Sequence, residues 1–125
     1  MSMRKSTYLL VPGGFSSGAD YAKIADILRS KGHCVFAMTL TGLGERSHLL
    51  SRETDLETHI TDVTNTILFN ELENIILVGH SYGGMVITGV ADRMPERIAA
   101  LVYLDAIVPK SGESAMAAVI AGAGE

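Results

Sequence analysis

The stretch Ile75-Ile76-Leu77-Val78-Gly79-His80-Ser81-Tyr82-Gly83-Gly84-Met85-Val86-Ile87 decides the fold of this chain. It begins with an unbroken apolar run, which is typical of a strand covered on both faces. A G-x-S-x-G pattern follows, and residues 82–93 after it are apolar on most sides of a helix. The glycines of the pattern permit a sharp turn that lifts the Ser81 hydroxyl above the edge of a sheet. The stretch therefore predicts a buried strand, a tight turn with a serine at its apex, and a helix.

Three more apolar runs lie around this stretch, and each is predicted to be a parallel strand. They are residues 8–11, 34–38 and 99–104. Helices are predicted over residues 21–28, closed by Gly32, over residues 56–67, opened by Thr54 and Glu57, and over residues 82–93, stopped by Pro95. This alternation predicts an α/β fold, with an open parallel sheet of about four strands in the order 2-1-3-4 and helices on both faces. Ligands of such sheets lie beyond the carboxyl ends of the strands.

The composition limits the classes of partner that the chain can bind and the cellular compartment in which we expect it. The chain has 125 residues, 47% hydrophobic and 19% charged, which fits one packed domain. Its net charge of −4 and the lack of a long basic run argue against nucleic acid. The apolar run at residues 8–11 stops at Pro12, too early for a signal peptide or a membrane span. The single cysteine, Cys34, is predicted to be buried and permits no internal disulfide, so we expect a cytoplasmic protein.

The loop after the first strand is Pro12-Gly13-Gly14-Phe15-Ser16-Ser17-Gly18. In the strand order 2-1-3-4 it faces the serine turn, so backbone N–H groups of both segments can converge on one oxygen. The alternative is a glycine-rich phosphate cradle. No lysine follows Gly18, and Gly13-Gly14-Phe15 breaks the dinucleotide pattern, so both common phosphate motifs fail.

The chain resembles the amino-terminal half of an α/β-hydrolase, in the esterase and hydroxynitrile-lyase branch that includes the plant methylesterases. The resemblance is carried, in order, by Leu9-Leu10-Val11-Pro12-Gly13-Gly14, Thr39-Leu40-Thr41-Gly42-Leu43-Gly44-Glu45-Arg46-Ser47-His48-Leu49, Gly79-His80-Ser81-Tyr82-Gly83-Gly84 and Leu101-Val102-Tyr103-Leu104-Asp105. It implies that residues 1–125 are the amino-terminal part of a single hydrolase domain, with the start of a cap region at residues 111–125.

The same resemblance assigns roles to site residues. It implies that Ser81 is the nucleophile and that the N–H groups of Gly14 and Tyr82 form an oxyanion hole, with no metal and no organic cofactor. Phe15 and His48 are candidates for contacts at the rim or with substrate. Family members commonly carry a histidine where this chain has Pro12, and they place the catalytic acid and histidine after later strands.

The histidines of this chain are weak candidates for the base. His33 precedes the second strand, at the wrong edge of the sheet, and His80 is expected to pack beneath the turn. His59 is expected to be a half-buried structural residue of a helix. His48 lies on the correct edge but in a long loop, which holds a proton acceptor poorly. Asp105 ends the fourth strand, where it either serves as the acid or caps the following turn.

These observations predict a serine hydrolase that cleaves a small carboxylic ester through an acyl-serine intermediate. A complementary carboxy-terminal half is expected to supply the acid and the histidine, and that half or a second copy is expected to cover the open sheet edge. Two alternatives stay open. One is a non-catalytic module that binds a small molecule, and the other is a hydroxynitrile lyase using the same serine, although such lyases of the related branch carry a threonine where this chain has Gly13-Gly14.

Overall fold

The central sheet has the predicted strand order. A computed structural model describes residues 5–106. Its strands are β1 (Thr7–Val11), β2 (Cys34–Ala37), β3 (Ile75–His80) and β4 (Ile98–Leu104). They are all parallel and lie in the order β2-β1-β3-β4, which confirms the prediction. Strands β1 and β3 form the central pair, and the register sets Val11, the last residue of β1, opposite Gly79, one residue before the end of β3.

Helices cover both faces of this sheet, as predicted. The α-helices are α1 (Ala22–Ser30), α2 (Leu56–Phe69) and α3 (Gly83–Arg93). Helices α2 and α3 enclose the larger part of the core on one face, where Leu9, Ile75 and Leu77 are fully buried. Helix α1 covers the other face with a smaller cluster around Leu10 and Val78. Apolar side chains are thus removed from water on both sides of the central strands, the dominant favourable contribution to folding.

The helix ends follow local hydrogen bonding. Gly32 has a φ of +89° and closes α1 as a left-handed cap, as predicted. The predicted capping box of α2 is wrong by one residue. The N-cap is Asp55, whose carboxylate accepts the N–H of Thr58 at 3.0 Å, while the Thr58 hydroxyl accepts the N–H of Asp55 at 3.1 Å. The hydroxyl of Thr54 instead accepts the N–H of Ser51.

Both outer strands carry exposed side chains. Cys34 was predicted to be buried and is exposed, because it is the first residue of the edge strand β2, in which Val35 is the buried side chain. On the opposite edge, Val102 and Leu104 of β4 are each 37% exposed. Within residues 5–106, β4 pairs with β3 only. An open parallel edge of this kind is a template for pairing with more chain.

No α-helix within residues 5–106 has the length and apolar character needed to cross a bilayer. The predicted start of a cap region at residues 111–125 lies outside the described residues.

Candidate active site

Ser81 occupies the turn between β3 and α3 in a left-handed backbone conformation. Its φ is +52°. For a residue other than glycine this region costs about 1–3 kcal/mol, and it persists only where the surroundings impose it. Here the Ser81 N–H donates to the carbonyl of Leu104 at 3.3 Å, and the Ser81 carbonyl accepts the N–H of Gly84 at 2.9 Å. The end of β4 and the first turn of α3 therefore hold the serine in its strained position.

Close backbone approach explains both glycines of the G-x-S-x-G pattern. A Cβ on Gly79 would lie 2.6 Å from the carbonyl oxygen of Gly83. A Cβ on Gly83 would lie 2.5 Å from the carbonyl oxygen of Val11. Both obstacles are backbone atoms, which cannot rotate away as a flexible side chain can. The start of α3 is thus pressed against the ends of β3 and β1, and Ser81 is left at the sheet edge.

The loop after β1 faces this serine turn. A Cβ on Gly13 would lie 3.1 Å from the Cβ of Ser81 and 3.2 Å from the carbonyl oxygen of His80. The next residue, Gly14, is exposed, and no heavy atom lies within 4 Å of its Cβ position. Across residues 5–106, the N–H groups of Gly14 and Tyr82 donate to no protein oxygen. Unpaired amide donors of this kind suit an anion, and the N-terminus of α3 favours negative charge.

Phe15 follows Gly14 in the same loop, and its side chain extends into solvent. Its side chain is 96% exposed and its φ is +64°, a conformation that is an outlier for a bulky residue. Its ring is therefore an apolar surface at the mouth of the site, next to Gly14.

A hydrogen-bonded threonine fastens the β1 loop to the loop after β2. The Thr39 hydroxyl accepts the N–H of Gly18 at 2.9 Å and donates to the Glu45 carboxylate at 2.8 Å. Hydrogen bonds from the backbone N–H of Glu45 and from Thr39 hold the pKa of the Glu45 carboxyl below its usual range. A side chain at position 44 would not fit at this junction, since a Cβ on Gly44 would lie 2.6 Å from the Cβ of Ser17.

Tyr82, directly after the serine, points its phenol into the protein. The phenol oxygen lies 2.7 Å from Nδ1 of His59 on α2. Burial, with smaller contributions from the carboxylates of Asp55 and Asp62, raises the pKa of Tyr82 to about 12. On the other face of the sheet the phenol of Tyr21 donates to the carbonyl of Val11 at 2.8 Å, and burial raises its pKa to about 12 as well. The neutral phenol of Tyr82 thus connects the turn after β3 to α2, and the neutral phenol of Tyr21 binds the end of β1.

The histidines are not assembled into a base for Ser81 within residues 5–106. His33 accepts the N–H of Ser6 at the amino end of the strands, as its position in the sequence predicted. His48 is exposed in the short helical turn Gly44–Leu49. The expectation that His80 packs beneath the turn is wrong. Its side chain is exposed, because the corner between the β1 loop and the start of α1 is an open cleft of about 310 Å³, which His80 lines with Tyr21 and Ile24.

Asp105 lies where the sequence placed it, directly after β4 on the carboxyl edge of the sheet. It is exposed and has a φ of +43°. Both of its suggested roles, as acid or as turn cap, are compatible with this placement. Among the described residues, no group of three or more His, Cys, Asp or Glu side chains is arranged to hold a metal ion.

Two residues near the site were missed or underrated from the sequence. His59 is only 6% exposed, and both of its ring nitrogens have partners. Asp62 was not singled out from the sequence, and its carboxylate accepts both the N–H and the hydroxyl of Thr41, each at 2.7 Å. The sequence offered one indication that His59 and Asp62 act together: they lie three residues apart on α2, which places both on the same face of the helix.

A family model described as "Alpha/beta hydrolase family" matches residues 8–125. The chain belongs to this family. The match confirms the resemblance drawn from the sequence, and the observed sheet order and helix placement are those of a partial α/β-hydrolase fold. The serine turn at residues 79–83 lies within the matched residues.

Relatives of this chain include proteins named as esterases. A carbendazim hydrolyzing esterase of Nocardioides sp. (strain SG-4G) is 53% identical over 112 residues, which are 90% of this chain and 46% of that enzyme. Methylesterase 1 of Arabidopsis thaliana is 30% identical over 114 residues, with 89% of this chain and 43% of the relative covered. An extracellular alpha/beta-hydrolase of a Paenibacillus species superposes with a TM-score of 0.80 at 31% identity, covering 87% of this chain and 44% of that one. The chain thus spans less than half the length of these relatives.

Proposed function

We propose that this chain forms the nucleophile-bearing part of a serine hydrolase that cleaves small carboxylic esters by acyl transfer. The observation that carries the proposal is the strained Ser81 at the β3–α3 turn, opposite a glycine loop with an unpaired amide donor. Strained backbone conformations are enriched at active sites, and this one coincides with the serine of a G-x-S-x-G pattern. The relatives named as esterases support an ester as the substrate class.

In the proposed reaction the Ser81 hydroxyl attacks the ester carbonyl, and a histidine takes the hydroxyl proton. The carbonyl oxygen becomes an oxyanion, which accepts hydrogen bonds from the N–H groups of Gly14 and Tyr82. The alcohol leaves with the proton returned by the histidine, and an acyl-serine ester is formed. Water, deprotonated by the same histidine, then releases the carboxylic acid and restores Ser81.

Among residues 5–106, no histidine is hydrogen-bonded to Ser81. We propose that residues 1–125 are the amino-terminal part of one hydrolase domain, that a complementary carboxy-terminal half supplies the histidine, and that this half or a second copy covers the open sheet edge. The open edge of β4 is the surface that this segment would cover. Asp105 at the end of β4 is the candidate acid, and His48 and Phe15 are candidates for contacts at the rim.

The test uses the full-length protein that carries this sequence. A fluorophosphonate should give one covalent adduct, which peptide mapping places on Ser81, and Ser81→Ala should abolish both the adduct and the hydrolysis of p-nitrophenyl acetate. Ser16→Ala is the matched control, since Ser16 belongs to the facing loop and has no assigned role. It should keep both properties.

Three outcomes would contradict the proposal. An adduct on another serine would remove the role of Ser81. Ligand binding without an adduct or turnover would make the site a non-catalytic binding module. Release of cyanide from mandelonitrile, with no ester hydrolysis, would make the protein a lyase.

A further inference from the structure

His59 is a buried histidine whose two ring nitrogens are both engaged. Nδ1 lies 2.7 Å from the phenol oxygen of Tyr82, and Nε2 lies 2.9 Å from the carbonyl oxygen of Thr41. The imidazole and phenol rings meet edge to face, with centroids 5.5 Å apart. His59 therefore joins α2 to two separate parts of the site, the residue after the nucleophile and the loop after β2.

The partners determine the tautomer of His59. A carbonyl oxygen only accepts hydrogen bonds, so Nε2 must carry the proton that is donated to Thr41. In the neutral ring Nδ1 is then an acceptor, and the Tyr82 hydroxyl donates to it. The Tyr82 phenol is thus oriented by its hydrogen bond to Nδ1 of His59, and the His59 ring is oriented in turn by the bond from Nε2 to Thr41.

Thr41 is in turn immobilised by the same helix. The carboxylate of Asp62 accepts the N–H of Thr41 and its hydroxyl, each at 2.7 Å. Asp62 follows His59 by three residues on α2. The helix therefore binds the N–H and hydroxyl of Thr41 through Asp62 and its carbonyl through His59. No buried side-chain nitrogen or oxygen within residues 5–106 lacks a partner, so the network is fully satisfied and rigid.

The network ends at a backbone group that the proposed reaction uses. Tyr82 is the N-cap of α3, with φ −53° and ψ −31°, directly after the left-handed Ser81. Restraining its side chain restrains its backbone dihedrals, and these set the direction of its N–H. An oxyanion donor is effective only when it is already aimed at the position where the charge develops.

We propose that His59 is a positioning residue, which aims the Tyr82 N–H at the oxyanion through the hydrogen bond from the Tyr82 phenol. This assignment rests on the function proposed above. His59 touches neither the substrate nor Ser81 in this role, and it transfers no proton.

Two substitutions separate the two ends of the imidazole in the full-length enzyme. In His59→Asn the amide oxygen lies near the former Nδ1 and can accept from Tyr82. In His59→Gln the amide reaches the former Nε2 and can donate to Thr41, but the Tyr82 phenol loses its acceptor. We expect His59→Gln to lower the kcat for p-nitrophenyl acetate about tenfold or more, with KM within about twofold, because the loss falls on the transition state. His59→Asn should stay within about threefold of wild-type kcat.

Tyr82→Phe keeps the backbone N–H and removes only the phenol hydroxyl, so it should reproduce the kcat loss of His59→Gln. The double variant should be no slower than either single variant, because both remove the same hydrogen bond. Val63→Ala is the matched control for stability. It opens a cavity in a fully buried position of the same helix and should lower the melting temperature while kcat stays at the wild-type value. Nitrogen-15 NMR of histidine-labelled protein should show His59 protonated at Nε2.

The assignment is overturned if His59→Asn is as slow as His59→Gln, if Tyr82→Phe keeps full kcat, or if Val63→Ala loses as much kcat at an equal loss of melting temperature. It is also overturned if His59 is protonated at Nδ1. A wild-type protein with neither a Ser81 adduct nor turnover would refute the proposed function itself. A normal adduct with unaffected His59 and Tyr82 variants would refute the positioning role alone.

Discussion

Gly83→Ala is expected to push the start of α3 away from the sheet and to damage both stability and catalysis. The added Cβ would lie 2.5 Å from the carbonyl oxygen of Val11 and 2.8 Å from that of Pro12. Relaxed contacts between heavy atoms need about 3.5 Å, so the helix start must move by up to about 1 Å. Both obstacles belong to the backbone at the end of the central strand β1, so they cannot yield cheaply.

The magnitude follows from two opposing effects. Overpacking a close contact costs about 1–3 kcal/mol, and the backbone obstacles put Gly83 at the upper end. Alanine regains at most about 1 kcal/mol of helix propensity over glycine. The free energy of unfolding should therefore fall by about 2 kcal/mol, as measured by urea denaturation. Displacement of Ser81 and Tyr82 by about 1 Å should also lower kcat on the order of 100-fold.

Two other glycines supply graded controls. Gly14→Ala meets no atom within 4 Å and should leave the free energy of unfolding unchanged or raise it slightly. In Gly89→Ala the Cβ meets the Cδ1 and Cγ1 atoms of the Ile60 side chain, which can shift more readily than backbone, so the free energy of unfolding should fall by less than in Gly83→Ala. If Gly83→Ala proves as stable as Gly14→Ala, the close approach of α3 to β1 does not exist as described.

Three further predictions test the surroundings of the site. Phe15→Asn suits the left-handed backbone at φ +64° and removes the exposed ring, so stability should be kept while KM for aryl esters rises about threefold to tenfold; an unchanged KM would refute the substrate contact. Thr39→Val leaves the Gly18 N–H without an acceptor and should cost about 1–3 kcal/mol in urea denaturation, whereas no loss would refute the tie between the loops. Burial raises the pKa of Tyr21 from 10.0 to about 12, so the unfolded phenol ionises first and stability should fall as pH rises from 10 through 12. Between pH 10 and 12 the free energy of unfolding should fall less steeply with pH in Tyr21→Phe than in the wild type. An equal slope would contradict the burial of the phenol.

The parts of the fold set by local pattern could be predicted from the sequence. Unbroken apolar runs indicate strands with both faces covered, and β1 and β3 are indeed the central pair. The G-x-S-x-G pattern indicates a turn that demands glycine, and the contacts of Gly79 and Gly83 supply the steric reason. These features depend on neighbours close in sequence or on the regular geometry of a parallel sheet.

Contacts between distant segments could not be predicted. His59 bonds Tyr82, 23 residues away, and Thr41, 18 residues away, and neither partner has a spacing that reveals the bond. His80 was expected to pack beneath the turn because adjacent residues of a strand point to opposite faces, but the space on its side is an open cleft between the β1 loop and the start of α1. Cys34 was expected to be buried because an apolar run does not show which strand forms the sheet edge.

A crystal structure of the full-length protein with a phosphonate bound covalently to Ser81 tests the central claim most directly. The phosphoryl oxygen stands in for the oxyanion of the tetrahedral intermediate. It should lie about 2.7–3.1 Å from the backbone nitrogens of both Gly14 and Tyr82. A phosphoryl oxygen directed to solvent, or bonded to other donors, would contradict the account.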